Sequence, residues 1–303
     1  MFTRRYRDLN SFLRQRFGCR VQKISLDAGL TCPNRDGTVG LGGCIYCNAL
    51  GSGTGLARNY SIRQQLELGK QRLQRRYGAK KFIAYFQSFS NTYAAVDRLR
   101  QLYLEALSVK DVVGLAIGTR PDCVADEVLD LLAEINERTY LWLEYGLQSI
   151  HDRSLVFINR GHTVAAFVDA VERTRLRGLD ICVHVILGLP GEGKAEMLQT
   201  ARALGCLDIQ AVKIHLLYVI KDTPLAMLYS QGSYQCLSRD QYVDIVCDFL
   251  AYLPPQVVIH RLTGDPHPEE LVAPMWALEK QTNLQAIWDT MEERNLWQGK
   301  YLE

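Results

Sequence analysis

Three thiols stand close together near the amino end of this 303-residue chain: Cys32, Cys44 and Cys47, on a stretch that also carries Gly37, Gly40, Gly42 and Gly43. Thiols grouped in this way bind metal. A structural zinc ion wants four tetrahedral Cys or His ligands, but the first histidine is His151, so Cys19 is the one nearby residue able to complete such a set. Cys19 lies ahead of the first strand pattern and reads better as a small packed residue. A cubane iron–sulfur cluster suits three thiolates, because they hold three irons and leave the fourth open to a ligand. The glycines would let the loop wrap an inorganic core and turn amide N–H groups toward its anionic sulfides. A zinc-bound, non-catalytic module stays as the alternative.

Other residues able to do chemistry lie farther along. Glu144 and Gln148 stand four apart in "LEYGLQS", and a carboxylate in an apolar strand needs a partner: a bound cation, a ribose hydroxyl, or an ion pair with Arg120 or Arg160. His184 and His215 sit inside apolar strands and read as core or pocket histidines rather than metal ligands. Cys123, Cys182, Cys206, Cys236 and Cys247 form no close pairs, which argues against a second cluster. Charge is lopsided: residues 1–81 hold 16 Lys/Arg against 4 Asp/Glu, and residues 82–303 hold 19 against 29. A basic section of +12 beside an acidic one of −10 suits a polyanionic partner such as a nucleic acid. Arg63, Lys70, Arg72, Arg75, Arg76, Lys80 and Lys81 would then meet phosphates, unless helix Ser61–Tyr77 merely shows its charges to water.

The elements that must position these residues alternate regularly. Short apolar stretches "VQKISLD", "KFIAYF", "VVGLAI", "YLWLEYG", "DICVHVILG" and "AVKIHLLYV" are separated by helical patterns at Ala94–Leu107, Ala125–Glu137, Val164–Arg177 and Lys194–Leu204. Repeated βα units with right-handed crossovers imply a parallel, curled sheet. Six units fall short of a closed eight-stranded barrel, so the expectation is an α/β fold: a partial (βα)6 TIM-like barrel with its chemistry at the carboxyl ends of the strands. An extra strand is expected at Val257–Arg261. Residues 1–260 would form the barrel with its basic amino-terminal segment, and 261–303 a helical cap packed on the same domain.

The motifs "KISLDAGLTCPNRDGTVGLGGCIYC", "YFQSFSNTY", "GTRPDCV", "LEYGLQSIHDRSLVFINRGHT", "VHVILGLPGE" and "HRLTGDPHPEELVAPMW" follow in order over roughly 250 residues. Through them the chain resembles radical S-adenosylmethionine (SAM) enzymes, and within these the YhcC-type subgroup, related to the radical domain of the Elongator catalytic subunit. Most such families space their cysteines C-x3-C-x2-C; the eleven residues between Cys32 and Cys44 are a feature of this subgroup. The resemblance implies that Cys32, Cys44 and Cys47 ligate a 4Fe-4S cluster and that Tyr46 lies against the SAM adenine. It implies further that Gln87 and Ser88, in "QSFSN", meet the SAM amino group, and that Glu144 and Gln148 face SAM with Arg120 and Arg160 beside them. Gly188 in "GLPGE" would let SAM approach the backbone.

The activity so implied is reductive cleavage of SAM to a 5′-deoxyadenosyl radical, with an electron donor such as a flavodoxin or ferredoxin. Kinship to a wobble-uridine enzyme and the basic first section make a tRNA base the expected substrate; a small metabolite or cofactor precursor is the alternative. No apolar run is long enough to span a membrane, no secretory core opens the chain, and nine cysteines is an odd, scattered set, so a reducing cytoplasm is the expected setting.

Overall fold

The computed structural model describes residues 5–48, 51 and 59–302. In chain order the elements are helix α1 (Leu9–Phe17), strand β1 (Val21–Leu26), α2 (Ile62–Tyr77), β2 (Lys81–Phe86), α3 (Val96–Leu107), β3 (Val112–Thr119), α4 (Asp126–Asn136) and β4 (Tyr140–Gln148). There follow α5 (Asp152–Phe157), α6 (Val164–Leu176), β5 (Asp180–Leu187), α7 (Lys194–Gly205), β6 (Ala211–Leu216), β7 (Val219–Ile220), α8 (Pro224–Ser230), α9 (Arg239–Ala251), β8 (Val258–Arg261), β9 (Leu271–Ala273) and α10 (Lys280–Glu293). Among the described residues no helix is long and apolar enough to cross a membrane.

One sheet carries the architecture, in the order β1-β2-β3-β4-β5-β6-β8, with every pairing parallel. The expected partial barrel is present with seven strands rather than six. The extra strand near Val257–Arg261 is β8, which adds beside β6 instead of standing apart. Burial on both faces explains why the strands read as continuous apolar runs. In β4, Leu141, Leu143, Tyr145 and Leu147 pack outward into the core shared with the helices, while Trp142 joins an inner core with Ile83, Tyr85, Ala116 and Cys182. Period-2 alternation therefore sends Glu144 and Gly146 to the same concave side as Trp142.

The helices are locally specified. In α2, Ser61 caps the first turn in a reciprocal box with Gln64, Gly78 ends the last turn at φ 62°, and Ile62, Leu66, Gly69 and Leu73 form the buried stripe. Helix α1 closes the amino-terminal mouth of the barrel: Leu13 is buried in the inner core, Phe12 lies 6.1 Å from the Tyr140 ring, and the Ile259 N–H donates to the Arg7 carbonyl at 2.7 Å. The carboxy-terminal region contributes β9, antiparallel to β7, and α10 against α9, with Trp276 set 5.7 Å from Tyr242.

Candidate active site

The segment holding the three thiols runs from the end of β1 and is fastened to the α5–α6 connection. Asn34 Nδ2 donates to the Asn159 carbonyl at 2.6 Å, and Asn159 Nδ2 returns a bond to the Gly43 carbonyl at 2.8 Å. Arg35 spans the same loop, donating to the carbonyls of Cys47 and Asn48 at 3.1 and 2.6 Å. Gly43 has φ 82°, and a Cβ there would lie 2.8 Å from Arg35 Nε, so glycine is required on both counts. Backbone bonds tie Ile45 to Ile158 and Leu225 to Ile45.

Cationic and donor groups surround the thiols. Arg160 Nη1 points at Cys44 Sγ from 3.6 Å, and Asn34 Nδ2 lies 3.8 Å from the same sulfur. Burial opposes the Arg160 charge, but the adjacent Cys44 and Tyr46 raise its pKa above the usual guanidinium value. Burial pushes the Cys47 thiol up while Arg35 pulls it down. Such a shell fits thiolates shared by an anionic cluster, whose properties depend on donors to its sulfurs.

The other expected contacts distribute unevenly. Tyr46 lies between Cys44 and Cys47 against the apolar group of Ile158, Leu189 and Leu225, and burial lifts its hydroxyl well above the usual range. The turn after β2 brings buried Ser88 to the loop, with the Ser90 N–H bonded to the Thr31 carbonyl, and buried Asn91 Oδ1 has no hydrogen-bond partner. Gln148 ends β4 at φ 78° after a register shift, a strained setting of the kind found at binding sites. Gly188 has φ 90°, and its carbonyl accepts from the Tyr234 hydroxyl at 2.9 Å. Arg120 is held by Asp122 at 2.6 and 2.9 Å and donates to the Arg160 carbonyl at 2.6 Å, while Arg160 grips the Gly146 carbonyl at 2.8 and 3.2 Å. Both arginines thus position the loop and strand end.

Glu144 departs from expectation. Neither Arg120 nor Arg160 pairs with it; its oxygens take Lys213 at 2.9 Å, Lys23 at 3.1 Å, His184 at 2.7 Å and Trp142 Nε1 at 3.0 Å. It also lies four residues, about 13 Å, below the end of β4. With its acceptors engaged at that depth, Glu144 belongs to a polar network on the barrel floor rather than beside Gln148 at the rim. Burial works against the carboxylate, yet Lys213 and Lys23 overcome it and hold its pKa well below the usual value. Burial pushes Lys213 down to about 7 against the pull of Glu144. His184 falls to about 3 and His260 to about 4, both chiefly from burial. The His215 ring lies 5.2 Å from His184, tilted by 39°, with its buried Nε2 unpartnered, so it is a pocket histidine and not a satisfied one.

Sequence reasoning passed over Lys23, Lys213, His260 and Arg261. The available signal was alternation: Lys213 and His215, like Lys23 and Ser25, are two apart in otherwise apolar strands and so share one face. Asn34 and Asn159 left no comparable trace. The basic helix also differs from expectation, because Lys70 is buried and donates to the Lys110 carbonyl at 2.8 Å, and Arg63 donates to Ser108 Oγ at 2.8 Å.

A curled parallel sheet with a three-thiol loop at its carboxyl rim defines the class. The Radical SAM superfamily profile matches residues 32–204, and the Radical_SAM C-terminal domain profile matches residues 209–293. The chain belongs to the radical SAM superfamily, whose members are enzymes that use a 4Fe-4S cluster and SAM. It is 46% identical to YtqA of Bacillus subtilis over 301 residues, covering 99% of this chain and 94% of that protein. It is 39% identical over 273 residues to YhcC of Escherichia coli K12, covering 90% and 87%. In fold it is similar to the archaeal Elp3 of Methanocaldococcus infernus solved with an amino-terminal deletion: TM-score 0.72 at 17% identity, over 92% of this chain and 64% of that one.

Proposed function

We propose that Cys32, Cys44 and Cys47 ligate the 4Fe-4S cluster and that the enzyme modifies a base of tRNA. When bound, the cluster supplies the electron that cleaves SAM to the 5′-deoxyadenosyl radical. The chain's own residues bind and orient. Tyr46 offers a ring to the adenine, the turn at Gln87 and Ser88 meets the amino group, and Gln148 and the Gly188 backbone line the rim. Arg160 fixes the loop against β4. Helix α1 plugs the amino-terminal mouth of the barrel, and the surrounding side chains hold the reacting groups in place.

The observation that carries the cluster assignment is the convergence of Arg160, Arg35 and Asn34 on the cysteine loop. Support for RNA comes from the motifs shared with the Elongator radical domain and from Arg72 and Arg76, which line a cavity open to the barrel. The size of that cavity, about 360 Å³, favours a second reading in which the substrate is a small metabolite.

Anaerobic iron and sulfide analysis tests the first assignment: Ala at Cys32, Cys44 or Cys47 should abolish the brown absorption and SAM cleavage, and Cys19→Ala should leave both. A retained cluster in Cys44→Ala overturns it. For the substrate, nucleosides of tRNA from a deletion strain are compared with wild type by mass spectrometry. If none is lost or accumulates, the small-substrate reading stands instead.

A further inference from the structure

The barrel sheet does not close on itself, and β1 and β8 are its free edges. A cavity of about 360 Å³ lies between them. Lys23 enters it from β1, Arg72 and Arg76 from α2, Lys213 from β6 and Arg261 from β8, with Asp265 at the margin. Five cations thus face two carboxylates, Asp265 and the Glu144 that Lys23 and Lys213 share. Asp265 is drawn toward Lys280 at 3.2 Å. Among the described residues no carboxylate pairs with Arg72 or Arg261. Arg72 and Arg76 are exposed at its mouth and Lys23 and Arg261 are half-buried, so the recess opens to solvent with positive charge gathered around it, a field that attracts an anion.

We propose that this seam cavity binds a phosphoryl group carried by the substrate. The excess of positive charge, three when Lys213 is protonated, matches a phosphate better than a single carboxylate, and the guanidinium forks of Arg72, Arg76 and Arg261 suit its oxygens. The volume is at the low end for ligand cavities and admits one phosphorylated group, not a duplex. Two of its lining residues lead toward the barrel interior. Lys213 Nζ donates both to Tyr85 at 2.9 Å and to Glu144 on the floor, and Gln87, which also lines the cavity, begins the turn beside the cysteine loop. A substrate anchored here by its phosphate would extend along the concave face toward the carboxyl ends of the strands. The inference rests on the proposed reading only in taking the barrel interior as the substrate chamber. The phosphate can belong to RNA or to a small metabolite, and the chemistry of capture is the same.

The test is titration of the anaerobic, cluster-loaded and SAM-saturated enzyme with inorganic phosphate by calorimetry, with acetate in parallel. Phosphate should bind more tightly than acetate. The double variant Arg72→Gln, Arg261→Gln should weaken phosphate at least tenfold while its circular dichroism and cluster absorption stay unchanged. Failure of phosphate to bind, or binding retained in the double variant, overturns the proposal. Displacement of phosphate by a short single-stranded RNA assigns the group to RNA; phosphate binding that RNA leaves undisturbed assigns it to a small substrate. Wild-type enzyme that cleaves SAM yet ignores phosphate removes this inference alone. Enzyme that binds phosphate but holds no cluster removes the proposed function alone.

Discussion

Replacing Glu144 by Gln removes the one negative charge between Lys213 and Lys23, and the damage should depend on pH in a definite direction. At pH 5.5 Lys213, whose pKa burial sets at about 7, is protonated in the native protein. Loss of the carboxylate then leaves the buried Lys213 and half-buried Lys23 ammonium groups uncompensated or forces one to give up its proton, a change that costs about 3–5 kcal/mol. At pH 8.5 Lys213 is largely deprotonated even in the wild type, because the pH stands above its pKa of about 7. What is lost there is the Lys23 pair and the charged acceptor for Trp142 and His184, about 1.5–3 kcal/mol. The sign follows from linkage: between the variant's lower Lys213 pKa and pH 7 the wild-type native state holds a proton that the variant does not, so the cost of mutation falls as pH rises. In the wild type alone, the unfolded chain holds the Lys213 proton between about 7 and its ordinary 10.5, so that residue's contribution to stability rises across this window. Anaerobic urea unfolding at pH 5.5 and 8.5 measures the two costs, and the double variant Glu144→Gln, Lys213→Met should show no difference between them. Equal costs for the single variant, or a larger one at pH 8.5, would refute the reasoning.

Three further outcomes are expected. Gly146→Ala would set a Cβ 2.5 Å from Arg160 Nη2 and 2.7 Å from Gln148 Nε2, so SAM affinity in anaerobic titration should fall at least tenfold with the fold intact; unchanged affinity would remove Gln148 from the site. Asn159→Ala removes the side-chain bond to the Gly43 carbonyl while the Asn34 bond to the Asn159 backbone carbonyl stays, a loss of about 1–3 kcal/mol of local stability, and iron content per chain after mild chelation should drop below wild type. Gly69→Ala gains about 1 kcal/mol of helix propensity but drives a methyl to 2.5 Å from Ile24 Cγ2, and a raised melting temperature would contradict the expected net loss.

The strands were legible because each is buried on both faces and so is written as an apolar run bounded by turns. The same property concealed their polar members. Lys23 in "VQKISLD" and Lys213 in "AVKIHLLYV" look like isolated exceptions until the register aligns Gly118 with Glu144, Glu144 with Cys182, and His184 with Lys213. Glu144 announced its need for a partner but not which one, since a counter-ion 69 or 121 residues away is chosen by strand order and register. The grouping of the three cysteines stands out in the sequence, whereas Asn34 and Asn159 act across 125 residues and match no local pattern. Helix α2 shows the limit of charge counting: its sequence gives Lys70 and Arg72 the same sign, and only the packing of α2 on β1 turns the first inward and the second toward the seam.

The fastening of the cysteine loop bears on how the site would be rebuilt after losing a cluster. A zinc finger loses its shape with its metal, because binding energy and folding energy are one quantity there. Here the eleven-residue excursion between Cys32 and Cys44 is closed by Asn34, Asn159, Arg35 and the backbone ties at Ile45, all bonds among protein atoms. The entropy of closing the loop is therefore met during folding and not at the moment of cluster assembly. If Cys32, Cys44 and Cys47 hold the cluster as proposed, a chain that has lost it would keep these thiols gathered at the barrel rim, ready to be rebuilt from ferrous iron and sulfide once the thiols are reduced. Repair then becomes a matter of supply rather than of refolding.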